Sequence, residues 1–370
     1  KPFLTGHEMD YIRQAVESGK ISGDGIFTKK CHAYFTDKLG FQKVLLTTSC
    51  TDALEMAAIL LQIREGDEVI APSYTFVSTV NAFILRGAKI VFADSSANSP
   101  NMDETQIEGL ISPRTKAILP VHYAGMACEM DTIMDIASRH GVQVVEDAAQ
   151  AIDAFYKGRA LGSIGALGAF SFHETKNVIS GEGGMLAINE PSYNGRAEII
   201  REKGTNRSAF FRGEVDKYGW VDIGSSFLPS EIIAAFLYAQ LENLEKIQQK
   251  RKAIWTRYYE ALSDLEAAGK LTMPKIPAYA SNNAHMFYLI CGSLDERSAL
   301  LAHLKSKQIL AVFHYLSLHN SRFYSGQHDG RALPWADYYT DRLVRLPLYY
   351  ELDESKQNRV IQEIRSFYGC

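Results

Sequence analysis

The chain has 370 residues, of which 46% are hydrophobic and 22% charged, a composition typical of a soluble globular protein with a sizeable core. The formal net charge of -4 gives no reason to expect binding to nucleic acid or to an anionic membrane surface. No apolar stretch approaches the length needed to span a bilayer, and the segment that starts at Lys1 lacks the pattern of a signal peptide.

The chain contains five cysteines, which are Cys31, Cys50, Cys128, Cys291 and Cys370. Their number is odd, they are widely spaced, and no Cys-x-x-Cys pair or other zinc-binding spacing is present. Reduced thiols are the expected state, since disulfides form mainly in oxidising compartments. We therefore expect a cytoplasmic protein without a metal site.

Between about residue 50 and residue 184, segments with the pattern of helices alternate with segments with the pattern of strands. The predicted helices cover residues 51–61, 77–85 and 131–140, and the predicted strands cover residues 68–71, 88–93, 116–121 and 142–145. Thr51 or Asp52 is the expected N-cap of the first helix. The alternation predicts an α/β fold with a mostly parallel sheet and helices on both faces.

The remainder of the chain predicts a smaller α+β unit. The expected helices cover residues 230–262, 296–307 and 354–367, and the expected strands cover residues 285–290 and 309–313. Residues 270–283 are rich in proline and asparagine, which is typical of a loop. We therefore predict a large domain over residues 1–240, followed over residues 241–370 by a long connecting helix and a small C-terminal domain.

Active sites in parallel α/β folds lie at the carboxyl ends of the strands. Asp147 ends an apolar strand, and Lys176 lies in the segment Ser-Phe-His-Glu-Thr-Lys-Asn, which Gly-Glu-Gly-Gly follows closely. A lysine amine forms a Schiff base with pyridoxal phosphate, and a carboxylate can keep that cofactor's ring nitrogen protonated. The two residues together indicate this chemistry, although a buried acid at a strand end can also simply cap the following helix.

Other residues near these strand ends have both a structural and a functional interpretation. The small polar residues 48–51 either cap a helix or offer backbone N–H groups and hydroxyls to a phosphate. Phe76 is either a core aromatic or a ring that stacks on a flat cofactor. Gln150 lies shortly after Asp147, where its amide could donate to the phenolic oxygen of the cofactor ring.

Histidines and a basic segment are further candidates. Three histidines are either hydrogen-bonded structural residues or functional ones, namely His122, His173 and His319. The basic segment contains Arg201, Lys203, Arg207, Arg212 and Lys217, interleaved with Phe210, Phe211, Tyr218 and Trp220. This segment is either a solvated basic face or a binding surface for the diphosphate of a nucleotide.

These segments together resemble the sugar aminotransferases of the DegT/DnrJ/EryC1/StrS family. The resemblance covers essentially the whole chain and rests on five motifs in order: Ser-x-Thr-x-Ala-Leu, Pro-Ser-x-Thr-Phe, Glu-Asp-Ala-Ala-Gln, Ser-Phe-x-x-x-Lys-Asn and Gly-Glu-Gly-Gly. It implies a fold-type I aminotransferase whose large domain binds pyridoxal 5'-phosphate. The cofactor would be bound covalently to Lys176 and would pass through its pyridoxamine form during the reaction.

The resemblance also implies roles for individual residues, with Lys176 and Asp147 as the catalytic pair. The expected cofactor site consists of Ser49, Cys50, Thr51, Phe76, Asp147, Gln150, Ser171, Lys176 and Ser226. The expected substrate contacts are His122, Tyr123, Arg207, Arg212, Lys217, Tyr218, His314 and His319. Most members have glycine at the position of Cys50. Most also have, at the position of Ser226, an asparagine that the partner subunit supplies to the phosphate.

The reaction implied by the resemblance moves an amino group from L-glutamate to a keto-sugar nucleotide, at composite active sites of a homodimer. Residues 198–208, 215–218 and 222–226 favour the subgroup that converts dTDP-4-keto-6-deoxy-D-glucose to dTDP-4-amino-4,6-dideoxy-D-galactose, for lipopolysaccharide and enterobacterial common antigen. Alternatives are a 3-keto acceptor, a gluco-configured product, a pyridoxamine-phosphate-dependent sugar dehydratase and a non-catalytic pyridoxal-binding sensor. The dehydratases carry histidine at the lysine position, so Lys176 argues against them.

Overall fold

The computed structural model describes residues 1–369, so Cys370 lies outside the described residues. Its strands are β1 (Lys43–Thr47), β2 (Glu68–Pro72), β3 (Lys89–Ala93), β4 (Ser95–Ser96), β5 (Ser99–Met102), β6 (Thr115–Ile118), β7 (Gln143–Asp147), β8 (Phe155–Tyr156), β9 (Arg159–Ala160), β10 (Leu167–Ser171), β11 (Gly184–Ile188), β12 (Phe287–Ile290), β13 (Val312–Phe313) and β14 (Leu343–Leu346). Its α-helices are α1 (Glu8–Glu17), α2 (Ile26–Ala33), α3 (Cys50–Leu60), α4 (Ser78–Ile84), α5 (Glu104–Leu110), α6 (Met130–His140), α7 (Asn194–Arg201), α8 (Arg207–Phe211), α9 (Glu231–Leu241), α10 (Leu244–Ala267), α11 (Leu294–Ser306), α12 (Pro334–Arg342) and α13 (Glu354–Phe367).

The central sheet has seven strands in the order β1-β11-β10-β7-β6-β2-β3. The neighbours from β10 through β7, β6 and β2 to β3 are parallel, whereas β11 runs antiparallel to both β1 and β10. The predicted α/β fold with a mostly parallel sheet is therefore confirmed.

Successive side chains of a strand point to opposite faces, so the sheet separates two apolar cores. On one face, Leu45 of β1 belongs to the same core as Met56 of α3 and Phe83 of α4. On the other face, Leu46 belongs to the same core as Ile133 of α6. The runs of apolar residues on the inner strands follow from this burial on both sides.

Helix α3 begins earlier than predicted because Ser49 caps it. The Ser49 backbone is extended, and its hydroxyl accepts a hydrogen bond from the Asp52 backbone N–H at 3.0 Å. The expected cap at Thr51 or Asp52 is wrong, since both residues lie within the first turn. The Thr51 hydroxyl instead donates to the Ser78 hydroxyl at 2.9 Å, which links α3 to α4.

The C-terminal part has an antiparallel sheet with the strand order β12-β14-β13. Val344 and Leu346 of β14 lie in a third core together with Tyr258 of α10 and Phe287 of β12. The other side of this sheet, with Tyr288 and Leu343, belongs to the same core as Met56 of α3. The division into two domains at residue 240 stays a prediction.

The single helix predicted over residues 230–262 is in fact two helices, α9 and α10. The chain departs from helical geometry at Asn243, whose side chain donates to the Ala239 carbonyl at 3.0 Å. Short polar side chains compete in this way for the backbone hydrogen bonds of a helix.

The N-terminal helices α1 and α2 pack against α9. Glu8, at the start of α1, is buried and accepts hydrogen bonds from the Thr5 N–H at 2.7 Å, the Gly6 N–H at 2.9 Å and the Gln240 side chain at 2.7 Å. Burial alone raises the pKa of Glu8, but these hydrogen bonds outweigh it and hold the pKa below its ordinary value.

Three general features follow from the described residues. None of the helices in residues 1–369 is long and apolar enough to cross a membrane. The cysteines that the structure describes are free thiols. Within the same residues, no group of three or more histidine, cysteine, aspartate or glutamate side chains is arranged to hold a metal ion.

Candidate active site

A cavity of about 430 Å³ lies where the strands β7 and β10 end and α3 begins. This is the edge of a parallel sheet at which binding sites form. All but one of the cofactor residues expected from the sequence line it, namely Ser49, Cys50, Thr51, Phe76, Asp147, Gln150, Ser171 and Lys176. Wider clefts occur elsewhere on the described surface, but none of them contains both Lys176 and Asp147.

Lys176 lies on the connection between β10 and β11, which is anchored at both ends. Ser171 and Gly184, the residues that flank this connection, are paired with each other in the sheet. The Lys176 backbone N–H donates to the His173 carbonyl at 2.9 Å, so the lysine is also held from within the loop.

The surroundings of Lys176 favour its neutral amine. Burial lowers the pKa of Lys176 against the opposing effects of Cys50 and Asp147, and the positive charge of Arg345 adds to the lowering. A neutral amine is the form that attacks an aldehyde, whereas an ammonium group does not.

Asp147 is buried at the end of β7, and both of its carboxylate oxygens are held. One oxygen accepts from the Thr79 hydroxyl at 2.7 Å and the other from the Ala149 backbone N–H at 3.1 Å. No helix follows Asp147 directly, because residues 148–154 form turns, so the helix-cap interpretation is wrong. Its carboxylate faces the cavity that contains Lys176.

The turn before α3 is suited to bind a phosphate. The positive end of the helix dipole lies at Cys50 and Thr51, and the hydroxyls of Ser49, Thr51 and Ser171 line the cavity next to it. Any side chain at Gly184 would clash with the backbone of Ser49 and Cys50, so the glycine lets β11 pack directly under this turn.

Cys50 differs from the hydroxyls around it. Burial raises the pKa of the Cys50 thiol well above its ordinary value, and the charge of Asp147 acts in the same direction. The thiol therefore stays protonated at neutral pH and adds no charge to the turn.

Phe76 and Gln150 line the cavity between the acid and the lysine. Phe76 is 54% exposed, so the core interpretation of this ring is wrong. The Gln150 carbonyl oxygen accepts from the Ala124 backbone N–H at 2.7 Å, and its amide nitrogen donates to the Tyr315 hydroxyl at 3.2 Å. The amide is thereby fixed in one orientation, with a second N–H left for a ligand.

The chemical groups of these residues, and their place in one cavity, fit the binding of pyridoxal phosphate. The cavity contains a carboxylate for the ring nitrogen in Asp147, an amine in Lys176, and a helix N-terminus with hydroxyls for the phosphate. Phe76 supplies an exposed aromatic face for the ring.

The structure does not bring two of the expected substrate histidines into this cavity. His122 is fully buried, with its Nε2 at 2.9 Å from a Glu146 oxygen and its Nδ1 accepting from the Cys128 N–H at 3.2 Å. The His319 Nδ1 lies 2.7 Å from the Ser73 hydroxyl, and both residues are buried. Both histidines are structural here, and we do not retain them as substrate contacts.

Tyr123 and His314 form a pair of which only the histidine lines the cavity. Tyr123 is buried, and its hydroxyl lies 3.0 Å from His314 Nδ1. Tyr123 therefore positions His314 rather than contacting a ligand itself. Burial lowers the pKa of His314 to about 2, with smaller effects from the charges of Arg345 and Lys176, so the imidazole is neutral.

The basic segment lies apart from the cavity. Arg207 and Arg212 line a surface cleft together with Ser226, and this cleft shares no lining residue with the cavity. Lys217 and Tyr218 are exposed. Ser226 is the one expected cofactor residue that is absent from the cavity.

Two arginines of this segment are already paired. Arg201 is buried and bonded to Asp24 at 2.7 Å, so it belongs neither to a solvated face nor to a ligand site. Arg212 contacts Glu198 at 2.9 Å and Glu214 at 2.6 Å. Arg207 has its guanidinium over the Phe211 ring, 5.1 Å from the centroid, and is the more available cation of the cleft.

Sequence analysis missed Arg345 and Tyr315, which line the cavity from the C-terminal part. Tyr315 contacts Gln150 and also packs against Phe76, with 5.9 Å between the ring centroids. A signal for Arg345 was present in the sequence, because it is the one charged residue within the apolar run Leu343–Leu348. Charged residues inside buried strands commonly have a functional reason.

Comparisons with known proteins point to one family. The model of the DegT/DnrJ/EryC1/StrS aminotransferase family matches residues 2–365. The aminotransferase TlmJ from Streptoalloteichus hindustanus is 29% identical, with a TM-score of 0.92 and coverage of 100% of this chain and 98% of that chain. An aminotransferase of the same family from Brucella abortus is 30% identical, with a TM-score of 0.89 and coverage of 98% and 96%. DesV from S. venezuelae is 30% identical, with a TM-score of 0.88 and coverage of 98% and 94%.

Proposed function

Because this chain belongs to the DegT/DnrJ/EryC1/StrS aminotransferase family, whose members use pyridoxal phosphate, we propose that it transfers the amino group of L-glutamate to a keto-sugar nucleotide. The proposed acceptor is dTDP-4-keto-6-deoxy-D-glucose, and the proposed product is dTDP-4-amino-4,6-dideoxy-D-galactose. The observation that carries the proposal is the cavity in which Lys176, Asp147 and the α3 phosphate turn meet.

Pyridoxal phosphate, when bound, supplies an electron sink for the carbon that loses a proton. Asp147, oriented by the Thr79 hydroxyl, would keep the ring nitrogen protonated and so maintain that sink. Lys176 would hold the cofactor between turnovers and would carry the proton from the donor carbon during them. Its lowered pKa suits both tasks, since each needs the neutral amine.

The remaining residues of the cavity would bind pyridoxal phosphate and fix its orientation. Ser49, Thr51 and Ser171 would hold the phosphate together with the N-terminal N–H groups of α3. Gln150 would donate to the phenolic oxygen through its second N–H, and Phe76 would cover one face of the ring.

We further propose that two subunits share each active site. The motivation is the segment over residues 204–226, which is long and exposes Phe211 and Trp220, the latter to 84%. Arg207 and Ser226 would then reach the cavity of the partner, where a cation suits the diphosphate of the nucleotide. Lys217 and Tyr218, on the same exposed segment, stay candidate substrate contacts.

The decisive experiment incubates the enzyme with L-glutamate and candidate keto-sugar nucleotides, followed by NMR of the isolated product. The proposed product has an axial amine at C4, so the coupling between H3 and H4 is expected to be small. A large coupling means an equatorial amine and a gluco product, which contradicts the stereochemistry proposed here. Amination at C3 contradicts the proposed acceptor, and loss of water without amino transfer indicates a dehydratase.

A further inference from the structure

A buried polar network adjoins the loop that carries Lys176. It consists of four side chains that are each at most 5% exposed, namely Asn177, Gln248, Asn283 and His285. None of the four lines the cavity, so whatever they do for a reaction there they do through other residues. Buried amides and imidazoles are costly unless they are hydrogen-bonded, and a fully bonded network specifies one arrangement of the chain around it.

Asn177 follows Lys176 directly and is the member of the network that belongs to the loop. Its Nδ2 donates to the Gln248 side-chain oxygen at 2.8 Å and to the Asn283 backbone carbonyl at 2.9 Å. Its Oδ1 lies 2.8 Å from Nδ1 of His285. Three hydrogen bonds to residues far along the chain therefore fix the position next to the lysine.

The hydrogen bond between Asn177 and His285 has a defined direction. A backbone carbonyl can only accept, so the contact with Asn283 identifies Nδ2 of Asn177 and leaves Oδ1 as the acceptor that faces His285. Nδ1 of His285 therefore carries the hydrogen. Burial lowers the pKa of His285 well below its ordinary value, and the charge of Lys176 acts in the same direction, so the imidazole is neutral.

The same network also holds the turn that contains Gln150. Nδ2 of Asn283 donates to the backbone carbonyl of Gln150 at 2.8 Å and to that of Ile152 at 2.9 Å. Any side chain at Gly125 would clash with the Asn283 amide, so the glycine allows this close packing. Asn283 therefore joins the loop of Lys176 to the turn of Gln150, and both of these segments contribute residues to the cavity.

We propose that the buried polar network positions the Lys176 amine relative to the turn that contains Gln150, and that Asn177 and His285 act in it as one pair. The inference rests on the proposed function, in which Lys176 has to reach the carbon that loses a proton. A displacement of about 1 Å at a reacting group lowers a rate by about 100-fold, so the anchor of the loop affects the reaction without contacting the ligand.

The first measurement is the single-turnover rate at which L-glutamate converts the bound cofactor of the holoenzyme, followed by absorbance. For His285→Leu, which removes the donor to Asn177, we expect the maximal rate to fall about 10- to 100-fold. The glutamate concentration that gives half of this rate should change little, because the network does not line the cavity. His285→Asn should recover much of the rate, since its side-chain N–H replaces that of Nδ1.

Combining substitutions tests whether His285 acts through Asn177. In an Asn177→Ala background, His285→Leu should lower the rate at most about twofold further, because the contact between the two residues is already broken. A full additional loss would overturn the pairing. If Asn177→Ala does not fold, the comparison of His285→Leu with His285→Asn decides alone, and equal rates in these two variants would overturn it.

Hydrogen exchange of the holoenzyme gives a readout that does not depend on amino transfer. We expect Asn177→Ala to speed exchange at least about fivefold in two separate peptides, residues 171–184 and residues 148–154, since the network holds both segments. A purely local role of Asn177 would change the first peptide only, and that result would contradict the proposal.

The matched control is Gln357→Ala. Gln357 is as buried as the network, and its Nε2 donates to the Ile254 carbonyl at 2.7 Å, but it lines no part of the cavity and lies on α13. We expect its single-turnover rate and the exchange of both peptides to match the unmodified enzyme, whereas an equal loss of rate would overturn the proposal. If no acceptor is aminated but Asn177→Ala still changes both peptides, the proposed function fails and the network stands.

Discussion

Burial affects the ionisable groups of the cavity in different ways. It lowers the pKa of Lys176 and of His314, and both therefore favour the neutral form. It raises the pKa of Cys50, which stays a neutral thiol. The cavity thus combines the amine of Lys176 with the guanidinium group of Arg345.

Lys176→Ala removes the amine that would hold the cofactor and move the proton. We expect the amino-transfer rate to fall by about a thousandfold or more, since a general base alone contributes on the order of 10²–10⁴. Borohydride reduction of the unmodified enzyme, followed by peptide mass mapping, should place the cofactor on the peptide that contains Lys176. Lys157→Ala is the control, because Lys157 pairs with Asp131 at the surface. A label on Lys157 or Lys203 would contradict the assignment.

Asp147→Asn removes the charge that would hold the ring nitrogen protonated, while keeping the shape of the side chain. We expect amino transfer to fall about a hundredfold, in line with the loss of a charge-assisted contact at the reacting group. The thermal unfolding midpoint should change little, because no helix depends on Asp147 for its cap. Thr79→Val, which only frees the carboxylate, should have a smaller effect. Near-normal activity of Asp147→Asn would remove this residue from the site.

At the scale of elements, a feature could be predicted from the sequence when the residues that determine it are close together in the chain. Four strands of the central sheet, β2, β3, β6 and β7, were predicted because their apolar runs are local, and Asp147 follows from where β7 ends. The break at Asn243 was not, because apolar residues continue on both sides of it. Arg345 was missed because its place in the cavity depends on the pairing of β14 with β12, whose residues lie far away in the chain.

The attachment of α1 to α9 should depend on pH through Glu8. Its folded-state pKa is below its ordinary value, so ionised Glu8 contributes stability above the ordinary pKa of 4.5, and this contribution is lost as the pH falls through the folded-state pKa. We expect Glu8→Gln to lower the free energy of unfolding at pH 7 and the difference from the unmodified protein to shrink below about pH 4.5. Urea titrations at several pH values measure it, with the exposed Glu17→Gln as control. A difference independent of pH would contradict this account.

At the scale of the whole molecule, the cavity is built from two parts of the chain that also share an apolar core, in which Tyr288 and Leu343 belong with Met56. The large part contributes Lys176, Asp147 and the phosphate turn, and the C-terminal part contributes His314, Tyr315 and Arg345. The exposed segment over residues 204–226 contributes nothing to the cavity of its own subunit. This absence among the described residues is the physical basis for proposing that the segment serves a partner.

Mixing two inactive variants tests whether two subunits share each active site. Lys176→Ala and Arg207→Ala should each be inactive or nearly so when assayed alone, the latter through weak binding of the sugar nucleotide. Mixed dimers contain one site in which neither substitution is present, so we expect the mixture to recover up to about a quarter of the unmodified activity, by random pairing of subunits. Arg207 is chosen because Arg212 is already bound by Glu198 and Glu214. A monomer by light scattering that retains full activity would contradict the proposal.

The anchoring of the loop that carries Lys176 has an evolutionary consequence. Its two ends, Ser171 and Gly184, are paired directly across neighbouring antiparallel strands, so the sheet closes beneath the loop whatever residues lie within it. A change of the lysine therefore alters the chemistry without disturbing the scaffold. A lineage with this architecture can therefore lose or replace the amine by substitution at one position, while the paired strand ends keep the loop in place.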